Sequence, residues 1–353
     1  MTLRRMWPTM ALILCASPLQ AQTSTSPLQA SGFVQASFAH GTRDLDGAIV
    51  GNLYLPRNDE FLLDAAALTL QRAVPTDRPG TGFLVEAMVG NHAATIHAAG
   101  LDVGPEEDLV KAYLVVGLPA QSLQVSAGKM ATMLGYEGIE SVGNPNLSVG
   151  SQFIYIENFT DLGLDVAWTG TSRWSARARV TNGWDVVTDN NKHKTVFGRL
   201  GWSDGTRGVA LLGYSGSELP DSVGGLRSGL EVLANGRLGS IQGTLQLDAG
   251  REEALDADWQ AAGLWIQFPL RSGLDLALRG DVLDDADGVR TSGVTGFPAN
   301  AGQTVVSITT TAIIRGIPSA LIRPELRYDH STLDVYDGHG DQWTVALGAA
   351  MTF

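Results

Sequence analysis

A strict two-residue alternation of apolar with small or polar side chains constrains this chain most, and it is cleanest in the last twelve residues. Trp343, Val345, Leu347, Ala349, Met351 and Phe353 fall on one face, and Gln342, Thr344, Ala346, Gly348, Ala350 and Thr352 fall on the other. A period of two is the period of a β-strand. An apolar outer face, a small or polar inner face and a terminal aromatic residue together suit the closing strand of a bacterial outer-membrane barrel. A soluble sandwich could use the same alternation, so the choice rests on the remainder of the chain.

The N-terminus supplies an address. Arg4 and Arg5 precede an apolar run from Met6 to Ala16, and Ser17-Pro18-Leu19-Gln20-Ala21 ends in a small residue suited to cleavage. This is the pattern of a Sec signal peptide over residues 1–21, cleaved near Ala21. The run is well short of the roughly 20 residues that span a bilayer as a helix. Cys15, the only cysteine, lies inside it and follows Leu14, which is too large for a lipoprotein signal. The mature chain is therefore expected to have no disulfide and no thiol chemistry. Residues 22–30 read as a short flexible lead-in, and 31–353 as one domain with no linker.

Lys and Arg number 24 against 37 Asp and Glu, which disfavours nucleic acid as a partner. Hydrophobic content of 44% and 42 glycines, with only 17% charged residues, is unusual for a soluble enzyme. No mature segment is continuously apolar for long enough to be a membrane helix, and a membrane protein without such helices must be a closed barrel. Alternation places sixteen candidate strands near 31–39, 61–73, 82–91, 109–118, 122–132, 162–169, 174–181, 195–203, 207–216, 226–236, 239–250, 258–269, 273–283, 302–316, 319–331 and 341–353. Most have about the 9 to 11 residues that a tilted strand needs to cross.

Short turns such as Ser203-Asp204-Gly205-Thr206 and Arg271-Ser272-Gly273 alternate with long polar loops. The long ones fall at about 40–60, 92–108, 133–161, 182–194, 217–225, 251–257, 284–301 and 332–340. The expected fold is all-β, a single antiparallel up-and-down transmembrane barrel of about 16 strands (range about 12–18), with short periplasmic turns and long extracellular loops. Its strand nearest 322–329 sets Ile322, Pro324, Leu326 and Tyr328 against Arg323, Glu325, Arg327 and Asp329. Charges on one face cannot point at lipid, so they are expected to line water. Trp168, Trp202, Trp259, Trp265, Tyr328 and Trp343 lie near strand ends, either as a headgroup-level girdle or as packing on neighbours.

Two stretches resemble a known family. Gly128-Lys129-Met130, then Gly135-Tyr136-Glu137-Gly138-Ile139-Glu140-Ser141 and Asn144-Pro145-Asn146-Leu147-Ser148, form the first. Val180-Thr181-Asn182-Gly183-Trp184-Asp185, leading into Asp189-Asn190-Asn191-Lys192 and Lys194-Thr195, forms the second. Together with Gly32 to Phe38 and the Arg57 to Asp64 stretch, they resemble the putative beta-barrel porin-2, OmpL-like family over essentially the whole mature chain. The resemblance implies an outer-membrane channel of porin type. The chain departs from the family pattern at Ser148-Val149-Gly150-Ser151, where an arginine often follows the serine. It departs again at Phe159-Thr160-Asp161-Leu162, where a histidine and threonine commonly follow. Both departures make the middle of the pore less basic.

The longest loop, 133–161, carries Glu137, Glu140, Glu157 and Asp161 with Asn144 and Asn146. Folded into the barrel, it would set a ring of carboxylates across the path. Left outside, its acids would merely be solvated. Lys129, Arg177, Arg179, Arg199, Arg279, Arg323 and Arg327, with Glu325, are the candidate lumen wall. Facing acids and bases would create a transverse field, whereas pairing with Asp248, Asp275, Asp281, Glu325 and Asp329 would only stiffen the barrel. The resulting expectation is passive diffusion of small hydrophilic solutes or ions, without anion selectivity.

Asp284, Asp285, Asp287 and Gly288 resemble part of a calcium loop, but Leu283 and Val294 stand where acids are needed. The six histidines, His40, His92, His97, His193, His330 and His339, show no ligand spacing. No metal or cofactor is expected. A lipase- or protease-type barrel would need a nucleophile, base and orienter, and neither His330-Ser331 nor the Asp334, Asp337, His339 and Asp341 cluster supplies a recognisable set. Gly213-Tyr214-Ser215-Gly216 lacks the spacing of a nucleophile elbow. A non-conducting adhesin or scaffold barrel is the other alternative. Expected partners are outer-membrane lipid and lipopolysaccharide, the barrel-assembly machinery with Phe353 as its signal, small solutes and a second and third copy in a homotrimer.

Overall fold

The computed structural model describes residues 27–170 and 173–353. The signal peptide expected over 1–21 and the first part of the lead-in lie outside the described residues. Sixteen strands follow one another: β1 (Gln29–Gly41), β2 (Glu60–Arg72), β3 (Gly80–Val89), β4 (Glu107–Leu118), β5 (Leu123–Ala131), β6 (Thr160–Trp168), β7 (Trp174–Thr181), β8 (Thr195–Ser203), β9 (Arg207–Gly216), β10 (Arg227–Leu238), β11 (Ile241–Glu252), β12 (Ala257–Arg271), β13 (Leu274–Asp285), β14 (Gln303–Ile314), β15 (Ala320–Ser331) and β16 (Asp341–Thr352). Each pairs antiparallel with its neighbours in sequence, and β1 pairs with β16 to close the barrel. The expected strands all form, although β1 begins inside the stretch read as a lead-in. The long loop expected at 251–257 shrinks to four residues, 253–256, because pairing continues through Arg251↔Asp258 and Glu252↔Ala257.

The alternation sorts as expected in the closing strand. Val345 and Leu347 are 55% and 52% exposed, whereas Gln342 and Thr344 on the opposite parity are each 1% exposed. An outward apolar face on a closed barrel with an inward polar one is the arrangement of a barrel wall set in lipid. Among the described residues no helix is long and apolar enough to cross a membrane. At the seam, the Gly32 and Phe353 backbones exchange two hydrogen bonds of 3.0 Å. A side chain on Gly32 would overlap the Ala67 carbonyl and the Phe353 ring, which explains the glycine there.

Trp168 and Trp343 are exposed on the outer face and fit a girdle, but Trp259 and Trp265 are each only 3% exposed. They have inward parity: Trp265 pairs with Thr244 and Arg279, and its indole N–H donates to Glu137. The girdle reading is thus corrected for these two residues, whose rings support the interior. The start of β1 and the end of β16 share one end with the short turns, the end that faces the periplasm in barrels of this class.

Candidate functional site

The interior is dominated by the excursion between β5 and β6. Its ends are tied together, since Thr132 N–H donates to the Phe159 carbonyl at 3.0 Å and the Thr132 hydroxyl to Asn158 Oδ1 at 2.7 Å. Asp185, from the Asn-Gly-Trp-Asp turn, accepts the N–H groups of Phe159 and Thr160 at 2.7 and 2.8 Å. Between these ties the chain crosses the lumen rather than standing outside it. Gly135 N–H donates to Glu231 on β10, Tyr136 N–H to Gln246 on β11, and Ser151 N–H to Asp281 on β13. The Leu147 and Ser148 N–H groups both donate to Glu325 on β15, at 2.6 and 3.0 Å. Arg323 Nη1 donates to the carbonyls of Ser141, Asn144 and Asn146, and Arg327 Nη1 to that of Val149.

The physical reason is an accounting one. An irregular backbone away from water leaves N–H and C=O groups that no ladder satisfies. Here the wall supplies the Glu231, Asp281 and Glu325 carboxylates and the Gln246 amide for donors of the segment, and Arg279, Arg323 and Arg327 for its acceptors. The charged face of β15 therefore serves the inserted segment and does not line water as expected. Arg323, Glu325 and Arg327 are 1–4% exposed. Gly135 is required for the same close approach: its φ is +81°, and a Cβ there would collide with the Glu157 carboxylate.

The expected ring of carboxylates does not form. Glu137 is 3% exposed and bonds to Arg279 Nη1 at 3.0 Å and to Gly150 N–H at 2.6 Å. Asp161 is buried against Arg179 Nη1 at 2.6 Å, and Glu157 is buried against Gln246 Nε2 at 2.8 Å. Asn144 braces Gly138 through its N–H and carbonyl, and Asn146 Nδ2 donates to Thr311. Only Glu140 keeps a partly exposed side chain, and it is ion-paired to Lys111. Burial raises the Glu140 carboxyl, but the Lys111 ammonium outweighs that and holds it below its ordinary range.

Among the wall candidates, Arg279 is wholly buried between Glu137 and Asp281. Lys129 is closed off by Asp108 at 2.6 Å and the Leu109 carbonyl, so it does not reach the open lumen. Arg179 is 1% exposed, shared between Asp161 and Asp165. Arg177 and Arg199 differ. They face each other across β7 and β8; the Arg177 side chain is 36% exposed and pairs with Asp165, and Arg199 is half-buried. A cavity of about 530 Å³ opens here towards the short-turn end, lined by Arg72, Lys111, Tyr113, Gln124, Ser126 and Arg177 among others. Arg177 and Lys111 line this space and Arg199 does not. Asp165 lines it as well, although its side chain is only 2% exposed, and Glu86, paired to Lys111, is 4% exposed.

Sequence reasoning missed Lys111, Arg72 and Gln246. Lys111 and Gln246 have inward parity on recognised strands, so counting parity would have found them, but not their partners. Arg72 has the outward parity of Leu68 and Leu70 and pairs with Phe83, so counting would have set it on the outer face. Asp285, from the partial calcium-loop motif, accepts the N–H groups of Val289, Arg290 and Thr291 and so folds its own loop.

Glu157 makes the seat of the segment sensitive to pH. Burial pushes its carboxyl well above the ordinary 4.5, and the facing Glu231 and Asp248 carboxylates push the same way. Burial likewise raises Asp185 to about 7. A raised carboxyl binds more protons folded than unfolded, so its contribution is full in acid and is lost as pH rises from its ordinary value through the raised one. Chymotryptic cleavage within 133–161, normalised at each pH to cleavage of a short unstructured peptide, is expected to accelerate as pH rises above about 4.5. Glu157→Gln, permanently neutral, should flatten that rise; an unchanged slope would remove Glu157 from this role.

A closed sixteen-stranded barrel with an apolar outer face and a segment folded into its charged lumen defines an outer-membrane barrel of porin type. The chain belongs to the putative beta-barrel porin-2, OmpL-like family, whose profile matches residues 27–353. Among solved structures it is similar to an anion-selective porin from Comamonas acidovorans, with a TM-score of 0.64 at 12% identity over 93% of this chain and 100% of that one. It is also similar to the outer membrane channel DcaP of Acinetobacter baumannii (TM-score 0.63, 10% identity, 93% and 97% covered). A third is the Salmonella typhi OmpF complex with daunomycin (0.62, 11%, 93% and 98%). At these identities the likeness establishes the fold. A search of curated proteins found no match.

Proposed function

We propose that the protein is a passive-diffusion channel for small hydrophilic solutes, bounded on one side by the 133–161 segment and on the other by β2–β8, with a preference for anions. The observation that carries this reading is the Arg177–Arg199 pair. Like charges directly opposite on neighbouring strands are destabilising, and only one of the two has a carboxylate partner. The expectation of a pore without anion selectivity rested on Glu137, Glu140, Glu157 and Asp161 facing the path and on the less basic stretches at 148–151 and 159–162. Glu140 keeps a partly exposed side chain paired to Lys111, whereas Glu137, Glu157 and Asp161 are withdrawn. With these buried and held by hydrogen bonds or ion pairs, the accessible charge left in the lumen cavity is mainly cationic.

Planar-bilayer recordings of refolded protein in a salt gradient test the reading. Open steps with an anion-favouring reversal potential are expected. A silent barrel with esterase or protease turnover would support the enzyme alternative, and a silent, inert one the adhesin or scaffold.

Export through a cleaved signal near Ala21, contact with lipopolysaccharide and assembly as a homotrimer belong to the same proposal. One similar structure, OmpT of Vibrio cholerae, is described as a trimer form (TM-score 0.60, 12% identity). Phe353 is given two roles: closing the seam with Gly32 and presenting a terminal aromatic to the assembly machinery. Deleting it should lower the heat-modifiable, membrane-inserted fraction while periplasmic secretion continues. Full insertion of the deleted form would reduce Phe353 to interfacial packing.

A further inference from the structure

At the long-loop end, the first long loop (42–59), the short helix α1 (Asn91–Ile96), Ile154 of the inserted segment and residues 293–295 enclose a cavity of about 690 Å³. Asn52 lines it, is 3% exposed, and has no hydrogen-bond partner at either Nδ2 or Oδ1. Asn91 lines it too, and its Nδ2 is also buried without a partner. Buried polar groups in native proteins are nearly always satisfied. Leaving one unpaired is costly, so two unpaired amides from separate elements in one cavity point to a ligand.

The chemistry of the floor narrows the class. A carboxamide sets a donor beside an acceptor, which matches adjacent hydroxyls, and Thr95 adds another hydroxyl. Leu53, Ile154 and Val294 offer apolar surface for C–H faces. The charged lining residues, Asp46 and Arg57, are exposed and opposite in sign, so water screens them and they select no ion. The volume falls within the usual range of about 300–1,000 Å³ for small-molecule sites. We infer that this cavity binds an uncharged polyhydroxyl solute, a sugar or polyol, at the outer mouth of the barrel. Its service as an entry subsite rests on the channel reading; the binding itself does not.

The test is saturation-transfer NMR on the refolded full chain in detergent, with D-glucose, sucrose and myo-inositol as uncharged probes and glycine betaine and sodium citrate as charged ones. Saturable binding of at least one uncharged probe is expected, weakened about tenfold in Asn52→Leu and in Asn91→Leu. Three results overturn the inference: no saturable binding, binding unchanged in the variants because the amides are only hydrated, or binding of betaine or citrate alone. Asn91, at the first position of α1, decides by itself if Asn52→Leu does not fold. Equilibrium binding needs no current, so a non-conducting barrel would sink the channel reading and leave this measurement intact.

Discussion

Arg279→Met is expected to unseat the 133–161 segment while leaving the barrel closed. The guanidinium is fully buried and spends its donors on Glu137 Oε1 and Asp281 Oδ2, both at 3.0 Å, on the Ser148 carbonyl at 2.7 Å, and on the Ser148 and Thr309 hydroxyls. Methionine fills much of the volume but strands two buried carboxylates, a change that costs about 3–5 kcal/mol when one partner of a buried pair is removed. The loss falls on the segment because the ladders around the barrel do not depend on Arg279's side chain. The segment contains no lysine or arginine, so chymotrypsin, with Tyr136, Phe153 and Tyr155 as targets, is the suitable probe. Faster cleavage, retained heat-modifiability and larger single-channel conductance are the expected results. Wild-type cleavage and conductance would mean that the segment is held without this ion cluster.

The second large effect concerns selectivity. At about 6 Å in water a unit charge is worth about 0.7 kcal/mol, about threefold in local ion concentration, before screening by salt. Replacing both Arg177 and Arg199 by glutamate changes the local charge by four units, so the permeability ratio should swing by about an order of magnitude or more and favour cations. The neutral pair Arg177→Gln and Arg199→Gln should fall between. Asp165 keeps Arg179 as a partner at 3.0 Å in both variants, so the wall is not left with a wholly unpaired acid. A reversal potential indifferent to all four substitutions would place the conduction path elsewhere.

The two predictions draw on parts of the molecule that differ in how far the sequence reveals them. Arg177 and Arg199 were legible as lumen residues because side-chain direction in a strand follows from counting, and the strand boundaries were set by local alternation and turns. The same counting located the apolar face of β16 and its pairing with β1. Glu137 was singled out as well, but its environment was misjudged. Its partner Arg279 lies 142 residues away, and nothing local distinguishes an acid facing water from one pinned under a loop. Trp259 and Trp265 failed for the related reason that nearness to a strand end does not say which side a ring occupies.

By itself, then, the sequence determined the barrel: sixteen strands, their order, and which face of each meets lipid, all consequences of a period-two pattern and of the rule that backbone in a bilayer must be hydrogen-bonded. Only the tertiary structure decided that the 133–161 segment crosses the lumen, that Arg279, Arg179 and Lys111 on other strands meet its acids, and that the β15 charges satisfy its backbone. Which buried donor meets which acceptor depends on contacts between residues far apart in the chain, where the cost of leaving any one of them unpaired selects a single arrangement.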